Sequence, residues 1–201
     1  MKCKNFFKTM AAAICAASLL MTGCSSDKAA GDTIKIGAIG EMTGGNASYG
    51  TSMMRGFNMA VKEINANGGI NGKKIALVEA DTKSEPAEAA NAMSKLINQD
   101  KVSMVAGIFT SSSAIAACNI SETAKIPYLA IGATNPSVTV AKDGSTKPNT
   151  FRVCFIDPFQ GTVGANFVSN ELKAKTAALY IDNSSDYSKG LADFFKKSFT
   201  A

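Results

Sequence analysis

Beyond residue 32 the chain alternates short apolar runs with longer stretches in which apolar residues recur every three or four positions. TIKIGAIG, KIALVEAD, VSMVAGIF, IPYLAI, FRVCFI and TAALYI are the short runs and read as strands. Gly50 to Asn67 reads as a helix, with Met54, Phe57, Val61 and Ile64 forming one apolar stripe that packs on a core. Further helices are expected from Pro86 to about Asp100, from Ser111 to Lys125, from Pro158 to Lys173, and from Tyr187 to the end. The punctuation agrees. Asn67-Gly68-Gly69 ends the first helix, Ile70-Asn71-Gly72-Lys73 is a hairpin-like turn, and Pro86 suits a first helical turn. Residues 138–150 are polar and turn-rich and read as a loop.

Strands alternating with helices of this length imply βαβ units and a parallel sheet, an α/β doubly wound fold. The last helix carries Leu191, Phe194, Phe195 and Phe199, which want a core. After Phe155 only about two βα units follow, too few to bury a sheet on both faces. The expectation is a complete first lobe over residues 33–153, then a crossover and incomplete second lobe over 154–201, with the three phenylalanines exposed. The chain would then be the N-terminal part of a longer protein.

The first 23 residues read as a secretory signal: Lys2, Lys4 and Lys8, then an apolar run from Met10 to Met21 that is too short for a permanent membrane span. Leu-Met-Thr-Gly-Cys resembles a bacterial lipobox, which would make Cys24 a lipid anchor and residues 24–32 a tether. The leucine is displaced by one place, and an ordinary signal peptide is the alternative. Without the signal, lysines and arginines fall from 21 to 18 against 16 acids, a net charge near +2. Basic residues are scattered and tryptophan is absent, so nothing suggests a nucleic-acid surface. Of five cysteines, Cys118 and Cys154 remain in the folded part. They could pair in an exported protein. Both also fit buried small hydrophobes, and free thiols are the better reading. Two cysteines and no histidine leave no basis for a metal site.

The candidate chemistry lies at two strand ends. VSMVAGIF runs into Thr110-Ser111-Ser112-Ser113 and a helix; IPYLAI runs into Gly132-Ala133-Thr134-Asn135-Pro136. Ligands of open α/β sheets bind outside the carboxyl ends of strands. A helix N-terminus with serine hydroxyls suits a small anion, although Ser111 could instead only cap its helix. Carbonyls at Phe109 and Gly132 could accept from an ammonium, and Gly132 permits close backbone approach. A Ser-His-Asp triad would need a histidine, and there is no G-x-S-x-G elbow, so binding rather than catalysis is indicated. Gly44-Gly45 lacks the spacing of a nucleotide loop.

IKIGAIGEMTGGNASYG, EINANGGINGKKIALVEAD, GIFTSSSAIAA, IPYLAIGATNP and FRVCFIDPFQG, in that order, resemble the branched-chain amino-acid-binding proteins of ABC importers, which are two-lobed Venus-flytrap receptors of the periplasmic-binding-protein type. The resemblance runs from about Thr33 to Ala201. It implies an exported, monomeric, non-enzymatic receptor that traps an amino acid or related solute without a cofactor. Its partner would be a membrane permease, and its only membrane contact the N-terminal lipid. It implies ligand contacts at Ser111 and Thr134 through hydroxyls, at Phe109 and Gly132 through the backbone, and at Tyr49, Asp157 and Tyr187. Asp157 could equally cap a helix before Pro158, and each tyrosine could simply pack. Where some members carry a disulfide beside the serines, this chain has Thr110 and Asp81-Thr82-Lys83. The acid that completes the ammonium site in the second lobe would lie beyond residue 201. Receptors of the same fold take amides, urea and aromatic acids, and a sensor for such ligands is the alternative reading.

Overall fold

The computed structural model describes residues 33–201; the signal, tether and Cys24 lie outside the described residues. The order is β1 (Thr33–Gly40), α1 (Ala47–Ala66), β2 (Lys74–Asp81), α2 (Pro86–Asn98), β3 (Met104–Gly107), α3 (Ser111–Ala124), β4 (Tyr128–Ala130), β5 (Thr150–Arg152), α4 (Asp157–Asn166) and α5 (Asp186–Phe199). A 3-10 turn, Pro136–Val138, interrupts the long β4–β5 connection.

The described strands form one parallel sheet in the order β2-β1-β3-β4-β5. From β1 the chain steps one way to β2, then crosses back over β1 to β3 and continues to β4. With right-handed crossovers, α1 takes one face and α2 and α3 the other. The main core lies under α2 and α3, where Ile39, Met93, Leu96, Val105, Cys118 and Tyr128 are fully buried. The α1 stripe is only partly buried. Met54 is enclosed, Phe57 and Val61 are half-covered, and Ile64 is exposed, because this helix lies over the β1–β2 edge.

Several expectations need correction; FRVCFI, for one, pairs only through Phe151 and Arg152 at the end of β5. VSMVAGIF pairs only as far as Gly107, because Ile108 turns left-handed at φ +57°. TAALYI is not a strand: no described strand lies beside it, and Tyr180 is fully exposed. The helix expected over 158–173 starts at Asp157 and ends at Asn166, widening into a π turn over Phe167–Glu171. The phenylalanines of α5 are half-buried rather than exposed. They gain this cover from α4, which approaches so closely that a Cβ at Gly161 would lie 2.7 Å from the Phe194 Cβ. Phe195 and Phe199 stack at 5.7 Å. Cys118 and Cys154 are free thiols.

Candidate functional site

The strand order reverses between β1 and β3, and such a switch point opens a crevice at the carboxyl ends. The register puts those ends on one level. Ile39 lies opposite Gly107, Gly107 opposite Ala130, and Gly40 opposite Asp81. Glu41, Phe109 to Ser111 and Gly132 to Thr134 therefore leave the sheet side by side. The Asp81 carboxylate shapes the first loop. It accepts from the N–H groups of Met42, Thr43 and Lys83 and from the Thr43 hydroxyl. Burial pushes its pKa up, but these donors outweigh burial and hold it below the ordinary value.

At the end of β3 only glycine fits. Gly107 has φ +136°, and a Cβ there would sit 1.8 Å from the Ile39 carbonyl oxygen. Ile108 then takes a left-handed conformation that a β-branched residue rarely adopts. Its N–H is held by the Ile39 carbonyl at 2.8 Å. The turn aims Thr110 at the start of α3, where Ala114 N–H bonds back to the Thr110 carbonyl. The N–H groups of Ser111, Ser112 and Ser113 precede that first bond and have no acceptor among the described residues. The Ser111 hydroxyl oxygen accepts from Asn135 N–H at 3.2 Å, and its own proton remains free to donate.

At the end of β4, Thr134 is 6% exposed, and its hydroxyl is buried with no hydrogen-bond partner among the described residues. Gly132 has a role that the sequence did not suggest. A Cβ there would meet the Phe109 ring at 2.4 Å, so its bare backbone makes room for that ring. The ring also stacks on Tyr49, with centroids 4.5 Å apart and planes within 9°. Arg152 locks the turn that follows. Its guanidinium donates to the carbonyls of Ala133 and Asn135 and to the Thr139 hydroxyl, and desolvation lowers its pKa.

Six of the seven residues expected at the site line one cleft of about 730 Å³: Tyr49, Phe109, Ser111, Gly132, Thr134 and Tyr187. Tyr187 reaches it because the start of α5 is tied to the start of α3. Asp186 N–H donates to the Ser112 hydroxyl, and the Asn135 amide donates to the Asp186 carbonyl. The seventh, Asp157, does not reach the cleft wall. It is fully buried, and neither carboxylate oxygen has a hydrogen-bond partner among the described residues. A Cβ at Gly190 of α5 would lie 3.0 Å from one of them. Burial raises its pKa; the Thr134 hydroxyl, which is near but not in bonding geometry, and Arg152 pull it back only in part. Sequence reasoning missed Glu41, Asn135 and Ser112. Glu41 follows a strand in a Gly-rich segment where nothing local marks it, yet it is fully buried.

Residues 33–201 match the family model described as periplasmic binding protein. An amino acid binding protein of Pseudomonas aeruginosa is 43% identical over 160 residues, which are 80% of this chain and 41% of that protein. The branched-chain amino acid transporter substrate binding protein LivJ of Streptococcus pneumoniae, solved with isoleucine, is 44% identical. It superposes with a TM-score of 0.77 over 84% of this chain and 47% of its own. The leucine binding protein LivK of Thermotoga maritima is 37% identical, with a TM-score of 0.76 over 83% of this chain and 45% of its own. The chain thus spans less than half the length of these relatives. With the matched region covering every described residue, this chain belongs to the periplasmic binding protein family.

Proposed function

We propose that the complete protein is an extracytoplasmic solute receptor that takes an amino acid, of the branched-chain type, by its carboxylate at the start of α3. The observation that carries this reading is a set of donors on the cleft wall at the start of α3: the N–H groups of Ser111 to Ser113, which have no acceptor among the described residues, and the Ser111 hydroxyl proton, with Thr134 of the same wall able to join them by turning its hydroxyl. A carboxylate satisfies them together, and the partial positive charge of the helix end adds to the attraction. The name of the Streptococcus relative, solved with isoleucine, supports the choice of solute. Carbonyls at Phe109 and Gly132 would receive the ammonium, while Tyr49 and Tyr187 would flank the side chain. In this reading Asp157 contributes from behind, reaching the ammonium only if α5 lifts.

The protein would be exported by residues 1–23, anchored through lipid on Cys24, spaced by residues 24–32, and monomeric. Residues 33–153 would be its first lobe and 154–201 the start of its second, delivering the solute to an ABC importer. It needs no cofactor. The test is calorimetric titration of the complete mature protein, with Cys24 replaced, against leucine, isoleucine and valine. Ser111→Ala and Thr134→Ala each remove a bond to a charged group, worth about 1.5–3 kcal/mol, or roughly ten- to hundredfold in Kd. Unchanged affinity in both variants would refute the site.

A further inference from the structure

The Glu41 carboxylate is fully buried at the end of β1 and forms no ion pair among the described residues. Its bonds all go to one short segment. One oxygen accepts from Phe109 N–H at 3.0 Å; the other accepts from Thr110 N–H at 3.0 Å and from the Thr110 hydroxyl at 2.7 Å. That segment follows the left-handed Ile108, a conformation that persists only when the surroundings over-determine it. The base of Glu41 is fixed as well. A Cβ at Gly50 would lie 2.1 Å from the Glu41 carbonyl oxygen, so α1 rests directly on this peptide. The residue before Gly50 is Tyr49, which stacks on Phe109. The contacts close a ring: Glu41 holds Phe109, Phe109 stacks on Tyr49, and Tyr49 stands on the helix that pins Glu41.

We propose that Glu41 is the positioning residue of the binding loop. It fixes the Phe109 ring as the apolar wall that selects the ligand side chain, and it sets Ser111 at the anion end. The selectivity half rests on the amino-acid reading above; the positioning half does not. The two carboxylate oxygens have separate tasks, which makes the roles separable. In Glu41→Gln, the amide oxygen takes the two Thr110 donors, and the NH2 group then faces Phe109 N–H, donor against donor. Phe109 is released while Ser111 stays in place. Glu41→Ala releases both. Thr110→Val removes only the hydroxyl bond and leaves the ring seated.

The experiment has two readouts on the complete mature protein. Proton NMR without ligand reads the Tyr49 ring resonances, which the stacked Phe109 shifts upfield. Calorimetry reads the affinity ratio between leucine and phenylalanine. Glu41→Gln is expected to abolish the upfield shift, to leave the Ser111 to Ser113 amide resonances in place, and to change the affinity ratio by about fivefold or more. Thr110→Val, which leaves the bond to Phe109 N–H intact, is expected to keep both readouts near the wild type; loss of the Tyr49 shift in this variant too would overturn the separate role of that bond. Retention of the Tyr49 shift in Glu41→Gln overturns the proposal, and so does loss of the shift with an unchanged ratio. If the wild type binds neither amino acid, the functional reading fails, and the Tyr49 resonances alone decide the positioning.

Discussion

Gly132→Ala tests the reading that this glycine exists to seat an aromatic ring. The added Cβ would lie 2.4, 2.7 and 2.8 Å from Cδ2, Cε2 and Cγ of Phe109. Ordinary contact begins near 3.4 Å, so the ring must retreat by about 1 Å. Its backbone cannot follow, because Phe109 N–H is tied to Glu41 and Ile108 N–H to Ile39. The ring must leave its rotamer, at about 0.5–1.5 kcal/mol, and disturb the Tyr49 stack, worth a further ~0.5–1.5 kcal/mol. The sum is about 2 kcal/mol, within the usual range for overpacking. At roughly 2–4 °C per kcal/mol for a domain of this size, Tm falls by about 4–8 °C. Thermal unfolding of the mature chain, followed by circular dichroism, measures it. The matched control is Gly56→Ala, in the middle of α1 with nothing within 4 Å, which should stabilise by about 0.5–1 kcal/mol through helix propensity. If Gly132→Ala melts with the wild type, the ring is not held against the β4 end as described.

Asp157 has a pKa raised by burial, so between its unfolded value of 3.8 and its folded value the folded state binds more protons. Its contribution therefore erodes as pH rises through that window; Asp157→Asn should remove this slope and raise stability at neutral pH, as Tm measured against pH would show. Asp81 is the opposite case, with a lowered pKa, and the stability it contributes is lost as pH falls through the folded value. Asp81→Ala frees three backbone N–H groups and the Thr43 hydroxyl, and should cost about 1–2 kcal/mol by denaturant melt. Gly190→Ala puts a Cβ 2.7 Å from the Asn135 amide nitrogen and 3.0 Å from Asp157. It should loosen the start of α5 and expose Tyr187, read as faster amide exchange at Asp186 and Tyr187.

The sheet, its parallel sense and the first three helices were legible because apolar period, turn residues and caps agreed along residues 33–130. The strand-end hydroxyls could be found for the same reason: a strand followed by serines and a helix fixes where Ser111 emerges. Other features depended on contacts distant in sequence. Glu41 acts on residues 68 and 69 positions away, so nothing local marked it as buried. Gly132 suggested backbone approach to a ligand, whereas the close neighbour is a ring from another strand end. The resemblance implies a ligand contact at Asp157, but the packing of Gly190 over it could not be read along the chain. TAALYI has a strand's composition without a described partner strand, and composition alone does not make a ladder.

The start of α3 is the proposed seat of a carboxylate. That role is tested most directly by titrating the complete mature protein with L-leucine and with L-leucinamide, which keeps the ammonium and side chain but lacks the carboxylate. Leucine is expected to bind, and leucinamide to lose about a hundredfold or more in affinity. Equal binding of the two, or binding of neither, would contradict it.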